Sequence, residues 1–293
     1  MTQGRATAIG FSAVLLWALL ALFTIGSSPV PPFQLNAICF AIGGGLGLAR
    51  VLASGEGAVL RRVPWYVYAF GTIGLFGYHA LYFTAFRIAP SAETGLIAYL
   101  WPLFIVLLSG LLPGERLQAG HILGALIAFA GAALIVLGRD GGQANAAGLV
   151  LAFGCAITWA VYSVASRALG QVPTAAVAVY CLATAALSAI VHLLIEPTLW
   201  PETATGWLSV LALGLGPVGL AFFTWDIGMK KGDIQLLGVA SYAAPLLSTL
   251  ALVVAGIASP SLALLVSAVL ITGGAALAAR SRPARPSAKR GQA

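Results

Sequence analysis

Apolar runs dominate this chain, in a number and at a length that no water-soluble core can absorb. Ten stretches stand out, at roughly 7–25, 33–49, 65–86, 92–112, 119–138, 147–166, 173–194, 207–229, 234–256 and 260–279. About 20 apolar residues in a helix cross the hydrocarbon layer of a bilayer. Of the 293 residues, 60% are hydrophobic and 8% charged, whereas about 25% of a soluble domain is charged. The bilayer therefore has to act as solvent. Strand-like alternation is missing, which argues against a β-barrel, and the joints leave no room for a soluble domain. The expected fold is an all-α polytopic membrane protein with ten transmembrane helices.

The charges lie at the joints and set an orientation. With the N-terminus in the cytoplasm, all of the 15 lysines and arginines except Arg87 and Arg139 fall on the inner side. Basic residues favour the cytoplasmic face, so both termini are expected there. The formal net charge of +7 is thus a matter of topology, and no nucleic-acid partner is implied. Glu196 and Glu202 fall in an outer joint. Arg5 ahead of an apolar run and the small residues Gly26, Ser27 and Ser28 resemble a cleavable leader. Trp17 has a counterpart in the second half, however, so the run reads as a retained first helix. Residues 281–293, with Arg282, Arg285, Lys289 and Arg290, read as a disordered, basic cytoplasmic tail. The lipid bilayer is the partner these features require.

Tyr99-Leu100-Trp101-Pro102-Leu103 and Tyr242-Ala243-Ala244-Pro245-Leu246 share one pattern, each inside a long apolar run. The same shift relates Gly95 to Gly238, Arg87 to Lys230 and Gly131-Ala132-Ala133-Leu134 to Gly274-Ala275-Ala276-Leu277. A nearly equal shift relates Trp17 to Trp159. Single matches mean little in a chain with 35 glycines, but several in one order point to tandem duplication. The polar turn at 138–142 divides the copies into repeats at 1–140 and 141–280. Each copy holds five spans, an odd number, so the second enters the membrane from the opposite side. Inverted repeats are a recurring construction of secondary transporters, with substrate bound near the bilayer midplane. Pro102 and Pro245 sit at matched places in spans 4 and 9. Proline in mid-helix breaks the hydrogen-bond ladder, which would free the carbonyls of Ala98 and Ser241; a static packing kink is the alternative, and the matched positions favour two hinges. Pro217, among Gly214, Gly216 and Gly219, marks a further soft point in span 8.

Polar and aromatic side chains share one slab of depth. His79 lies about seven residues, or ~10 Å, inside span 3, with Tyr78, Tyr82, Phe83 and Phe86 close by. Tyr99, Trp101, Trp17 and Trp159, with Tyr162 and Ser163, come to similar depth. Aromatic belts belong at the membrane surfaces; these residues are too deep for that, and their polar tips need partners. For any one of them a packed core suffices. Together with an intramembrane histidine they describe a central, substrate-binding cavity. Asp226 and Lys230 are read as an i, i+4 pair, Glu93 stands at the outer start of span 4, and His121 and His192 fit the interfaces. Cys39, Cys155 and Cys181 have no redox or metal spacing, and neither a metal nor a cofactor is called for.

The ten spans, the inverted halves, the paired Tyr-x-x-Pro-Leu segments and Tyr78-His79-Ala80-Leu81-Tyr82-Phe83 together resemble the drug/metabolite transporter superfamily, in particular its EamA-type ten-helix exporters. The resemblance implies a bacterial inner-membrane protein that works as a monomer. Spans 1, 3, 4, 6, 8 and 9 would surround the central cavity, with spans 5 and 10 in support. Relatives that expel cationic drugs place a glutamate in the first span, and this span has no acid. Relatives that carry phosphorylated sugars use late basic residues, and the interiors of spans 9 and 10 have none. The remaining small-molecule substrate is neutral or zwitterionic with an apolar body. The expected function is export of amino acids, aromatic and other neutral ones, and related metabolites by alternating access. General efflux of neutral amphipathic toxins is the alternative. An intramembrane enzyme would need a catalytic motif of the Gly-x-Gly-Asp, His-Glu-x-x-His or Gly-x-Ser-x-Gly kind, and none occurs; the chain is expected not to be an enzyme.

Overall fold

The computed structural model describes residues 1–89, 91–136 and 145–281. The boundary turn at 138–142 with Arg139, the tail from 282 to 293 and the side chain of Glu93 lie outside the described set. Among the described residues every regular element is a helix. In chain order they are α1 (Gln3–Ala18), α2 (Leu20–Gly26), α3 (Pro32–Ala53), the short α4 (Gly57–Leu60), α5 (Trp65–Ile88), α6 (Ser91–Ala98), α7 (Trp101–Ser109) and α8 (Ala119–Val136). The second half continues with α9 (Ala146–Ala168), α10 (Ala176–Ile195), α11 (Ala204–Leu215), a π-helical turn at Gly216–Leu220, α12 (Ala221–Lys231), α13 (Ile234–Ala240), α14 (Ala243–Val254) and α15 (Leu262–Arg280). Their starts follow ordinary capping chemistry: Asn145, Thr203, Asp233 and Ser261 each accept a backbone N–H of the first turn.

Among the described residues, seven helical segments are long and apolar enough to cross a membrane: Gln3–Gly26, Pro32–Ala53, Ala146–Ala168, Ala176–Ile195, Ala204–Lys231, Ile234–Val254 and Leu262–Arg280. The chain is a multi-pass membrane protein. Three runs read from the sequence as spans fall outside this set. Thr94–Ser109 and Ala119–Leu134 are apolar, and their described parts are shorter. At 24 residues α5 is long enough, but its four tyrosines, His79 and Arg87 dilute its hydropathy.

Several runs are interrupted. The first breaks at Leu19. The soft point at Pro217 is a π turn, the wide turn that results when a proline without an N–H enters a helix. The two proline segments correct the hinge geometry expected for Pro102 and Pro245. Neither proline sits in mid-helix, because each helix is already broken upstream, at Tyr99-Leu100 and at Ser241-Tyr242. Pro102 is the second residue of α7 and Pro245 the third of α14, positions where an amide would have no helical partner in any case. The Ser241 carbonyl is not freed: it accepts the Ala244 N–H at 3.0 Å.

Long helices pair across the halves, α1 with α12, α3 with α10, α5 with α9 and α8 with α15. Each pair runs antiparallel. Along α3 and α10, Asn36 donates to Ser188 at 2.7 Å, Gly44 meets Cys181 and Gly47 meets Ala178. Along α8 and α15, Gly124 meets Gly274 and Gly131 meets Ile271. Glycine is required at the tightest crossings. A Cβ on Gly10 would stand 2.7 Å from the Gly228 Cα, and one on Gly43 would stand 2.5 Å from the Gly219 Cα. Small residues let membrane helices approach closely, where dispersion and polar contacts replace the hydrophobic effect. Exchanging the halves turns the α5–α9 pair into the α12–α1 pair and leaves α3–α10 and α8–α15 unchanged. The packing therefore carries an approximate two-fold relation.

Candidate functional site

The interrupted helices bring one aromatic cluster together. Trp17, near the end of α1, is at its centre. Its ring centroid lies 5.1 Å from Trp225, 5.7 Å from Trp159 and 6.2 Å from both Trp101 and Phe222. Trp159 continues to Tyr162 at 5.3 Å and to Tyr78 at 5.2 Å. Tyr78 stands 5.0 Å from His79 and 5.9 Å from Tyr82. His79 is framed edge-on by Phe40 at 5.0 Å and by Phe222 at 6.1 Å. Tyr99 occupies the break before α7, two residues ahead of Trp101. Of the residues singled out in the sequence, Trp17, Tyr78, His79, Tyr82, Trp101, Trp159 and Tyr162 thus fall in one continuous network. Phe40, Phe222 and Trp225 belong to it as well and were not anticipated. The repeat carried a signal for two of them: the shift from Tyr99 to Tyr242 also takes His79 to Phe222 and Tyr82 to Trp225.

The polar tips divide into engaged and open groups. The Trp17 indole N–H donates to the Pro217 carbonyl at 3.1 Å, an acceptor on the π turn. Ser163 is fully buried, and its hydroxyl accepts the Trp225 indole N–H at 3.0 Å. Trp17 and Ser163 thus each have one polar contact within the protein. Among the described residues, the indole N–H groups of Trp101 and Trp159 have no protein acceptor. His79 Nδ1 lies 2.7 Å from the Leu75 carbonyl. A carbonyl can only accept, so Nδ1 carries the proton and the Nε2 of the neutral ring is an acceptor. Tyr78, His79, Tyr82, Tyr99 and Trp17 remain partly exposed, although the His79 ring faces the buried rings of Phe40 and Phe222.

Two apolar surface grooves lie away from this cluster. One, of about 420 Å³, runs between α2 and α11 along Phe23, Leu208, Leu211 and Leu215; the other, of about 440 Å³, lies on α15 along Ala268, Val269 and Thr272. Both are open and nearly without polar groups. They suit acyl chains, and the polar chemistry stays with the aromatic cluster.

Two ionic clusters close the ends of the bundle. At one, the Glu196 carboxylate accepts the Phe33 N–H at 3.1 Å and the Gln34 N–H at 3.1 Å, meets Arg87, and lies 3.1 Å from His192. At the other, Arg167 pairs with Glu115 and donates to the Met229 and Gly232 carbonyls, each at 2.9 Å, while Gln235 reaches Glu115 at 3.2 Å. Beside this second cluster Lys230 pairs with Asp226 at 2.9 Å and donates to the Val172 carbonyl at 2.8 Å. Both expected interfacial histidines are buried. His192 bridges Glu196 and Thr198, and His121 Nδ1 accepts the Gln118 N–H. No cluster of His, Cys, Asp and Glu suited to a metal occurs among the described residues.

Comparison with known proteins agrees with this architecture. The aromatic amino acid exporter YddG of Ancylobacter novellus is 56% identical over 282 residues, spanning 95% of this chain and 98% of its own. YddG of Escherichia coli is 26% identical over 94% of this chain and 97% of its own. The probable terminal-alkyne amino-acid exporter of Streptantibioticus cattleyicolor is 28% identical over 88% of this chain and 91% of its own. A crystal structure of a chain 56% identical superposes with a TM-score of 0.90, covering 94% of this chain and 98% of that one. The model of the EamA-like transporter family matches twice, at residues 5–137 and 146–280. With both halves matched, the chain belongs to the EamA-like transporter family.

Proposed function

We propose that this chain exports amino acids, aromatic and other neutral ones, together with related small metabolites, across the bacterial inner membrane by alternating access. The activity is transport and not catalysis, as its family states. The observation that carries the substrate class is the aromatic cluster in a chain whose 56% identical relative is named an aromatic amino acid exporter. The rings offer an apolar seat for a side chain. Trp101 and Trp159 offer N–H donors to a carboxylate. His79 Nε2 offers an acceptor to an ammonium group, and the faces of the surrounding rings add cation–π attraction. The partial exposure of Tyr78 and His79, whose rings meet Trp159, Phe40 and Phe222 of other helices, supports a central cavity that reaches them.

The scaffold in this reading has ten spans in two inverted five-helix repeats, at 1–140 and 141–280, with residues 281–293 as a cytoplasmic tail. Antiparallel pairing of α3 with α10 and of α8 with α15 supports the inversion, because each pair consists of repeat-related helices. The basic residues support cytoplasmic termini, and the fused duplication supports a single-chain unit.

The test is flux of labelled amino acids through the protein reconstituted in liposomes. His79→Ala and Trp101→Ala should each slow it roughly three- to tenfold, the worth of one hydrogen bond to substrate, while the protein stays folded. Parental rates in both variants over a range of concentrations would place the site elsewhere. Transport of neutral hydrophobic drugs without amino acids would favour general efflux.

A further inference from the structure

We propose that Tyr242 and Tyr99 act as alternating caps: in each transport state, the tyrosine of one half holds the broken helix of the other half in register. The proposal rests on the alternating-access reading above. The observation behind it is a one-residue difference between the two breaks. Under the repeat shift Trp101 matches Ala244, Pro102 matches Pro245 and Leu103 matches Leu246. Yet α7 begins at Trp101 while α14 begins at Ala243, one residue earlier in the common register.

The difference decides which amide is orphaned. The third residue of a helix has an N–H that no carbonyl of its own helix reaches. In α14 that residue is Pro245, which has no N–H. In α7 it is Leu103, whose N–H must find an acceptor away from water. It finds the Tyr242 hydroxyl, 3.1 Å away in the other half. The Tyr242 side chain is fully buried, and the residue is also the N-cap of α14. Tyr242 thus stands at the start of its own helix and caps its counterpart's helix with its hydroxyl. Tyr99, its repeat mate, keeps partial exposure.

Inversion extends this to the opposite state. When two inverted copies exchange conformations, the side of opening exchanges too. The start of α14 then moves to Ala244, Pro245 becomes its second residue and the Leu246 N–H is orphaned. The Tyr99 hydroxyl is the matching acceptor. In the same step α7 gains a residue, the Leu103 N–H passes to the Tyr99 carbonyl, and the Tyr242 hydroxyl is released. The repeated Tyr-x-x-Pro-Leu pattern is in this sense a register switch, and Tyr242 is a positioning residue that acts through α7.

Thiol labelling without substrate tests this. The three native cysteines are replaced by alanine and Ser166→Cys is introduced; Ser166 is buried here beside the Arg167 cluster. Tyr242→Phe removes the cap of the present state and should speed labelling roughly three- to tenfold. Tyr99→Phe removes the cap of the opposite state and should slow it by a similar factor. The double variant should return close to the parental rate. Faster labelling in both single variants, or no change in either, would overturn the proposal. If Tyr242→Phe does not fold, Tyr99→Phe decides alone, since a purely structural role would not slow labelling. Opposed shifts in a protein that carries no amino acid would sink the substrate reading and keep this one.

Discussion

The two ionic clusters look alike in composition and differ in what they join. Glu196 follows α10 and caps the first amides of α3, and those two helices are packed along their lengths through Asn36–Ser188 and the glycine contacts. It closes the end of an already continuous seam. Glu115 and Arg167 gather the joint after α7, the end of α9 and the joint between α12 and α13. These are the helices that carry Trp101, Trp159, Phe222 and Trp225. One cluster therefore fastens the frame, and the other fastens the helices that carry the aromatic cluster. Polar groups of the same kind are structural or conformational according to whether their helices are already locked together.

The largest effect is expected at the frame. Glu196→Ala strands two backbone amides, Arg87 and His192 in a site where the carboxylate side chain is only 1% exposed. Losing a buried charged partner costs about 3–5 kcal/mol, and thermal unfolding in detergent should show it, with transport per folded molecule little changed. A smaller effect is expected at the other end. Arg167→Ala affects side chains that retain some solvent contact, so about 1–3 kcal/mol is expected. Here the telling readout is accessibility: a thiol introduced by Ser166→Cys should label faster. An equal loss of stability with no change in labelling would erase the distinction between frame and clasp. The smallest effect is expected for Arg87→Ala. Its side chain is 39% exposed and two amides still hold Glu196, so the loss should stay below about 1 kcal/mol. A loss as large as that of Glu196→Ala would shift the weight of this cluster from the helix N-terminus to the ion pair.

Much of the architecture could be read from residues one after another. Apolar runs and the matched segments of the duplication depend on local spacing, and helices depend on local spacing too. The aromatic network was legible for a related reason, since residues at one depth in different spans must meet if the spans bundle. The positions of the breaks were not. Proline marks them only indirectly: the chain breaks ahead of Pro102 and Pro245, where the missing amide costs least, and not at the prolines themselves. Arg87–Glu196 and Glu115–Arg167 join residues far apart in the chain, and nothing in either neighbourhood names the partner. The depth of Ser163 was visible in the sequence, whereas the Trp225 indole N–H that its hydroxyl accepts was not.

The facing pair of His79 and Phe222, 6.1 Å apart, has a consequence for ancestry. These residues occupy equivalent places in the two copies. Were the halves separate products of one gene, each position would be written once and appear twice. A ligand lying across the axis would then meet two imidazoles or two phenyl rings and find no difference between its own two ends. Fusion into one reading frame lets the copies drift apart, so that an imidazole can stand opposite a phenyl ring. A molecule with a charged head and a greasy tail can be told from its reversed pose only by walls that differ in this way.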